Sequence, residues 1–506
     1  MKKYTLIKKT VATMLLLSLL VSSLVFASAE TKPVELLTVY WGVEAPSKNG
    51  PFELYLEDFC ESEFDIQWSP GATYSEKLST VLASNNLPEV LKIGGGDTKN
   101  VALLSMQKMD QFWDLTDIIK EYPNLDNSAT DVLKYNLSVD GRLYGIPRRW
   151  MGAMSAVLYR EDWLKESGIE ALDSFDALYE FCKYITSKSD DVYGIVFDKN
   201  FFKTPFQYAS VAFGAPNRWG EKDGSVYPAH QAPQYLEAMN YFKKLYDEGL
   251  INKDFPAVEA SDKFTKYVNG EAATIIENLF AYNALGGKLG DFAKMNPTGI
   301  HRAAIKLASP NGVFVDNPAG HDGMMLISKN TVKTEERLRE ILSAFDKLAE
   351  INELARLQDT EKGKEAKMIY SFGVEGDSYE MKDGVMIRDE AKFRNEYDPY
   401  HQFSVDFRYT STLTGMEDEY KAIREENAVE LNSDPSILVS NVCEPFVAET
   451  MLTIGSELDK IIEDGVIQYI TGQIDEKGWE DVQAYWLSAG GEKLIEEMNV
   501  EYAKAK

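Results

Sequence analysis

An α/β fold in two lobes is the architecture this sequence predicts, and three observations lead to it. The chain has 506 residues, more than one hydrophobic core organises, because single cores stop growing at about 250–300 residues. Near its start a strand, a helix and a second strand follow one another with short connections, the pattern of a βαβ unit on a mostly parallel sheet. The same alternation of strand and helix resumes after residue 150 without an internal repeat or a low-complexity linker, which argues against a solenoid or a bundle.

The first element is a leader. Lys2-Lys3 and Lys8-Lys9 precede an apolar run from Val11 to Phe26 that ends at Ala27-Ser28-Ala29. A cationic start, a short apolar segment and a small-x-small site read as a secretory signal peptide, cleaved after about Ala29. Thr13, Ser18, Ser22 and Ser23 interrupt the run, and it is short of the roughly 20 residues that span a bilayer. An uncleaved N-terminal anchor is the other reading.

Val34–Val43 reads as the first strand. Thr73-Tyr74-Ser75-Glu76 fits a capping box, with Leu78, Val81 and Leu82 on the apolar face of the helix it opens. Pro88–Ile93 is a short strand running into Gly94-Gly95-Gly96-Asp97. Asp140–Pro147 is a tight turn and an extended segment, Met154–Tyr159 a strand, and Arg160–Leu164 the start of a helix. Asp173 or Ser174 caps the next helix, whose Leu178, Phe181, Cys182 and Ile185 follow i, i+3, i+4, i+7. Tyr235, Leu236, Met239, Phe242, Leu245 and Tyr246 repeat that pattern, with Gly249 placed to end the helix. Glu444–Lys504 is again helical, and Trp479, Val482 and Trp486 share a face that reads as core.

Composition narrows the function. Asp and Glu number 81 against 53 Lys and Arg, a formal charge of −28, and loss of the four leader lysines makes the mature chain more acidic still. Such a surface repels nucleic acid and anionic lipid, whose binding needs cationic contacts to phosphate. Cys60, Cys182 and Cys443 imply no disulfide framework: Cys182 belongs to a helix's apolar face, and a bridge between the other two stays open. His230, His301, His321 and His401 are scattered, and HExxH, CxxC and GxSxG are absent from the sequence.

Seven stretches occur in an order that resembles one family. They are YSEKLSTVLASNNLPEVL (Tyr74–Leu91), DGRLYGIP (Asp140–Pro147), LYREDWLKESGI (Leu158–Ile169), YFKKLYDEGLIN (Tyr241–Asn252), GHDGMMLISK (Gly320–Lys329), FGVEGDSYEMKDG (Phe372–Gly384) and YITGQIDEKGWEDVQAYW (Tyr469–Trp486). Together they make the chain similar to the bacterial family 1 extracellular solute-binding proteins, substrate receptors of ABC importers, in the long oligosaccharide-binding subgroup. The resemblance implies a periplasmic-binding-protein-like fold of two α/β lobes joined by a hinge. It places 30–150 with about 313–435 in one lobe, and 151–312 with about 436–506 in the other. The strands between lobes should cross near Arg148–Ala153, Pro310–His321 and Asn432–Cys443.

Two departures from the family pattern matter. Many relatives carry a lipid-anchored cysteine just after the leader, whereas the first cysteine here is Cys60. Some long members bind calcium in an acidic loop. Here Thr186–Gly194 offers only Asp190 and Asp191 as carboxylates, too few for an ion that takes about six to eight oxygens, so no metal and no cofactor is expected.

For a receptor of this kind the ligand lies between the lobes, where aromatic planes meet sugar C–H faces and polar groups meet hydroxyls. The candidates are Trp41 at the end of the first strand, Tyr74 at a helix start, and Asp97 beside three glycines. Arg148, Arg149 and Trp150 occupy the first crossing, suited to a uronate carboxylate or to interlobe ion pairs. Trp219 lies on a polar loop, and Glu277 and Asn278 end a strand where related receptors often read sugar hydroxyls. Asp316, His321 and Asp322 lie at the second crossing, with His321 either a hinge hydrogen-bonder or a ligand contact. The expected partners are an oligosaccharide and membrane permease subunits, the protein itself acting as a monomer. The other functions compatible with the sequence are a secreted carbohydrate-active hydrolase or lyase and a receptor of the same fold for peptides or polyamines. A sensor kinase in place of the permease also remains open.

Overall fold

The computed structural model describes residues 32–150, 155–189, 191–278, 292–296, 298–317, 319–382, 385–406 and 434–506. The leader, residues 151–154 of the first crossing and 432–433 of the third lie outside the described residues. The strands that frame the site are, in chain order, β1 (Val34–Tyr40), β2 (Phe64–Pro70), β3 (Val90–Ile93), β4 (Gly145–Arg149), β5 (Ser155–Arg160), β6 (Tyr193–Ile195), β7 (Ala272–Asn278), β8 (His301–Ala304), β9 (Val315–Asn317), β10 (His321–Ile327) and β11 (Leu438–Ser440).

One lobe is built on a five-stranded sheet of order β2-β1-β3-β10-β4, the other on a four-stranded sheet of order β8-β5-β7-β6. In the first, β1 pairs in parallel with β2 and β3, and β10 runs antiparallel between β3 and β4. In the second, β6 and β7 are parallel while β5 opposes both its neighbours. Each sheet therefore has one strand reversed among strands that otherwise run the same way. The reversed strands are those that adjoin a crossing: β10 returns from the other lobe and β5 enters from it, so each runs against the strands that head towards the hinge.

Each sheet carries its own core. β1 reads VELLTVY with Val34, Leu36, Leu37 and Val39 all buried, as expected of a strand covered on both faces. Helices Pro51–Cys60, Tyr74–Ser84 and Glu335–Leu357 cover the first sheet. In the last of these, Leu338, Ile341, Leu342, Phe345 and Leu348 repeat at three and four residues and are buried. In the second lobe Leu178, Phe181, Cys182 and Ile185 face the core of the helix Phe175–Lys188, and the Ser174 hydroxyl accepts the cap hydrogen bond from the Ala177 N–H. The helices Pro233–Asp247, Glu449–Ile470 and Glu476–Trp486 pack into the same core, burying Phe242, Val466, Trp479 and Trp486.

One local expectation fails for a physical reason, and one open alternative is closed. Thr73 precedes the helix Tyr74–Ser84 but makes no side-chain cap. The 3₁₀ turn Gly71–Thr73 leads into the helix and holds Thr73 at φ −117°, ψ 9°, outside the extended conformation a capping hydroxyl needs. Cys60 and Cys443 are free and buried in different cores, so no bridge joins them.

Two crossing segments pair with each other. β9 and β11 run in parallel, with Val315, Asp316 and Asn317 opposite Leu438, Val439 and Ser440. This short ribbon and the segment after β4 join the lobes.

The candidate ligand site between the lobes

β4 ends at Arg149 and β5 begins at Ser155, so the chain between them spans at most about 20 Å. The two sheets are thereby held with these ends towards each other. Loops at the ends of open α/β sheets are where ligands bind, and most of the candidate residues collect there.

Trp41 follows β1 and is 66 % exposed. Its indole rests on Gly71 just beyond β2, where an added Cβ would lie 2.4 Å from Trp41 Cε3. One ring face is thus supported and the other left to solvent, the form of a stacking platform. Asp97 ends the short turn Gly95–Asp97 and accepts a hydrogen bond from the Ser75 hydroxyl at 3.2 Å.

Tyr74 points the other way. It is buried, and its hydroxyl donates to the Lys92 carbonyl at 2.7 Å, tying the start of its helix to β3. Burial pushes the phenol well above its ordinary range. The ring belongs to the core and not to the site.

Arg148 is also withdrawn from ligand. Its side chain is fully buried, and the guanidinium donates to the Asp322 carboxylate and carbonyl and to the carbonyls of Ser404 and His401. A clamp on a uronate is therefore not available to it. Lys92 donates to Gln402 Oε1 at 3.0 Å and lies 3.7 Å from Asp322 Oδ2. Burial and the nearby Arg148 charge lower its ammonium to about 7, against the pull of Asp322. Burial alone would raise the Asp322 carboxyl, but Arg148 and Lys92 outweigh it and hold it below the usual carboxylate range. Asp322 thus anchors β3, β4, β10 and the segment Asp398–Phe403 to one another.

Around this anchor, Arg149 ends β4, with its N–H donating to the Val405 carbonyl at 2.8 Å. Trp150 donates its N–H to the Gly320 carbonyl at 2.8 Å and packs its ring on core residues of the second lobe. His321 accepts the Gly323 N–H on Nδ1 at 3.1 Å. Burial lowers its imidazole below the ordinary range, with Glu444 opposing and Lys99 assisting.

On the second lobe, Glu277 and Asn278 end β7 opposite Ala156 and Ser155 at the start of β5. Lys263 donates to Glu277 at 2.9 Å. Trp219 is half-buried against the second core rather than free on a polar loop, because the hairpin it opens folds back on that core. Its neighbour Asn217 was not legible as a functional residue in the sequence. Asn217 Nδ2 donates to Asp316 Oδ1 at 2.7 Å and lies 3.0 Å from the carbonyls of Asn317 and Val439, so one amide ties both strands of the β9–β11 ribbon. Burial raises the Asp316 carboxyl to about 6, with Arg218 and the Asn217 bond opposing.

The candidates therefore fall into three groups. Trp41, Asp97, Arg149, Trp150 and His321 stand around the end of the first sheet, Glu277 and Asn278 at the end of the second, and Asp316 in the joining ribbon. Two surface cavities of about 380 and 580 Å³ lie apart from them, beside Thr186–Leu250 and Tyr159–Val313 respectively.

Two α/β lobes, each with its own core and joined by paired crossing strands, define a two-lobed receptor. A family model described as bacterial extracellular solute-binding protein matches residues 45–343, and this chain belongs to that family. It is 31 % identical to lipoprotein LipO of Bacillus subtilis over 95 % of this chain and 94 % of that one. It is 29 % identical to the polygalacturonan/rhamnogalacturonan-binding protein YtcQ of the same organism, over 89 % and 88 %. The fold matches an HMO-binding, ABC-transporter-associated solute-binding protein from Bifidobacterium longum infantis, with a TM-score of 0.68 at 16 % identity, covering 94 % of this chain and 99 % of that one.

Proposed function

We propose that this protein works outside the cytoplasm as the receptor of an ABC-type importer, capturing an oligosaccharide between its lobes. The observation that carries the reading is near full-length similarity to a protein named for binding polygalacturonan and rhamnogalacturonan, together with the exposed indole of Trp41 at the sheet end. Residues 30–150 with about 313–435 form one lobe, and 151–312 with about 436–506 the other. Trp41, Asp97, Arg149, Trp150, Glu277 and Asn278 supply stacking faces, acceptors and donors from both. Arg149, the last residue of β4 before the crossing, is the cation offered to an acidic sugar.

Binding closes the lobes only through contacts that the second lobe adds to ligand already held by the first. The permease then recognises the closed form. The leader is removed near Ala29, and the first cysteine after it, Cys60, lies in the core of the first lobe. The role is binding, and no catalytic step enters it.

Thermal unfolding of the mature protein against galacturonate, rhamnogalacturonan and neutral oligosaccharides tests the proposal. A ligand at 100 times its Kd stabilises the native state by about 2.7 kcal/mol, a clear rise in Tm. Small-angle scattering with the same sugar should show a smaller radius of gyration. A rise in Tm with peptides or polyamines alone would overturn the ligand class.

A further inference from the structure

We infer that Lys263 is a positioning residue that fixes the Glu277 carboxylate as an acceptor for vicinal sugar hydroxyls, an assignment that rests on the oligosaccharide reading above. Lys263 lies on the helix Ala260–Val268 and is 3 % exposed. Its ammonium is 2.8 Å from Asp198 Oδ2 and 2.9 Å from Glu277 Oε2. Asp198 follows β6 and is buried, whereas the Glu277 side chain is 19 % exposed at the end of β7. The neighbouring Lys199–Glu259 pair is exposed.

A buried ammonium needs one carboxylate to compensate it, and Asp198 supplies that from within the core. Glu277 is the second, and the group of three carries a net negative charge whose open side is Glu277. The other oxygen of Glu277 accepts the Asn278 N–H at 2.9 Å, so both oxygens are held and the rotamer is set. An ionised carboxylate offers about four acceptor directions. Among the described residues two are used, one on each oxygen, by Lys263 and Asn278, and the remaining direction on each oxygen suits one of a pair of adjacent hydroxyls. β6 and β7 run in parallel, so Asp198 and Glu277 reach this point from the same end of the sheet, the end that faces the first lobe.

The test is calorimetric titration with trigalacturonate and with the neutral oligosaccharides of the same panel. Wild type, Lys263→Met, Lys263→Arg, Glu277→Gln and the Lys263→Met/Glu277→Gln double variant are compared. Without the ammonium Glu277 Oε2 loses the Lys263 contact, and Lys263→Met should bind about tenfold more weakly than wild type. Lys263→Arg, which returns a cation to both carboxylates, should recover most of that loss. Glu277→Gln keeps the Asp198–Lys263 pair and should also lose about tenfold. The double variant should be no weaker than Glu277→Gln, because Lys263 acts through Glu277. Unchanged affinity in Glu277→Gln, or losses from the two single variants that add in the double, overturns the assignment while leaving the receptor reading intact. A wild-type protein that binds none of the saccharides overturns both.

Discussion

Trp41 and Arg148 show how differently two residues of binding type can be placed. The Trp41 indole is exposed on one face and supported by Gly71 on the other, so truncation removes a platform and little packing. Trp41→Ala should weaken saccharide binding by about 0.5–1.5 kcal/mol, in the range of a stacked aromatic contact, with Tm unchanged; calorimetric titration and a melting curve separate the two. Arg148 is the reverse case. Arg148→Ala leaves the Asp322 carboxylate half-buried without its main partner, and should cost about 3–5 kcal/mol of stability, read from urea unfolding. The residue pair Arg148-Arg149 reads alike in sequence. What separates them is the Ser404 carbonyl, 256 positions along the chain from Arg148, and no local pattern carries such a partner. The same holds for Lys263, whose acids Asp198 and Glu277 come from two different strand ends.

At the scale of elements, periodicity made the helices legible. The spacing of Leu178, Phe181, Cys182 and Ile185 alone places the buried face of their helix, because 3.6-residue repetition is a local property of the chain. Strand direction was not legible, since β10 and β5 owe their antiparallel sense to where the chain comes from and not to their own residues. β10 also contains an irregularity between His321 and Met324. Gly323 sits there at φ +78°, and a Cβ would lie 1.8 Å from the Ile93 carbonyl oxygen. Gly323→Ala should destabilise by more than about 3 kcal/mol, because the clash is with backbone that cannot rotate away. Chemical denaturation measures this, and a variant as stable as wild type would show that β3 and β10 can separate locally.

At the scale of the whole molecule, the joining ribbon links stability to pH. Asp316, which accepts the Asn217 amide, titrates at about 6 when folded, above the ordinary value of 3.8. A carboxyl raised in this way holds its proton longer in the native state than in the unfolded one, so its contribution to stability falls as pH rises from about 4 through 6. Asp316→Asn keeps the acceptor oxygen without the charge. The stability gained by this variant over wild type should therefore grow between pH 4 and pH 7 and level off above it; Tm measured across that range is the check. An advantage that stays constant with pH would mean that Asp316 ionises normally.

The place of β10 has a consequence for how the chain comes together in time. Residues 321–327 lie between β3 and β4 in the first sheet, yet they are made after every strand of the second sheet, the last of which ends at Ala304. A chain emerging from its N-terminus can complete the second sheet while the first still has a gap at its middle. Domains tend to fold as they emerge, and here the order is interleaved: the first sheet closes only after the strands of the second are made, and the second core fills only when the C-terminal helices Glu449–Ile470 and Glu476–Trp486 follow.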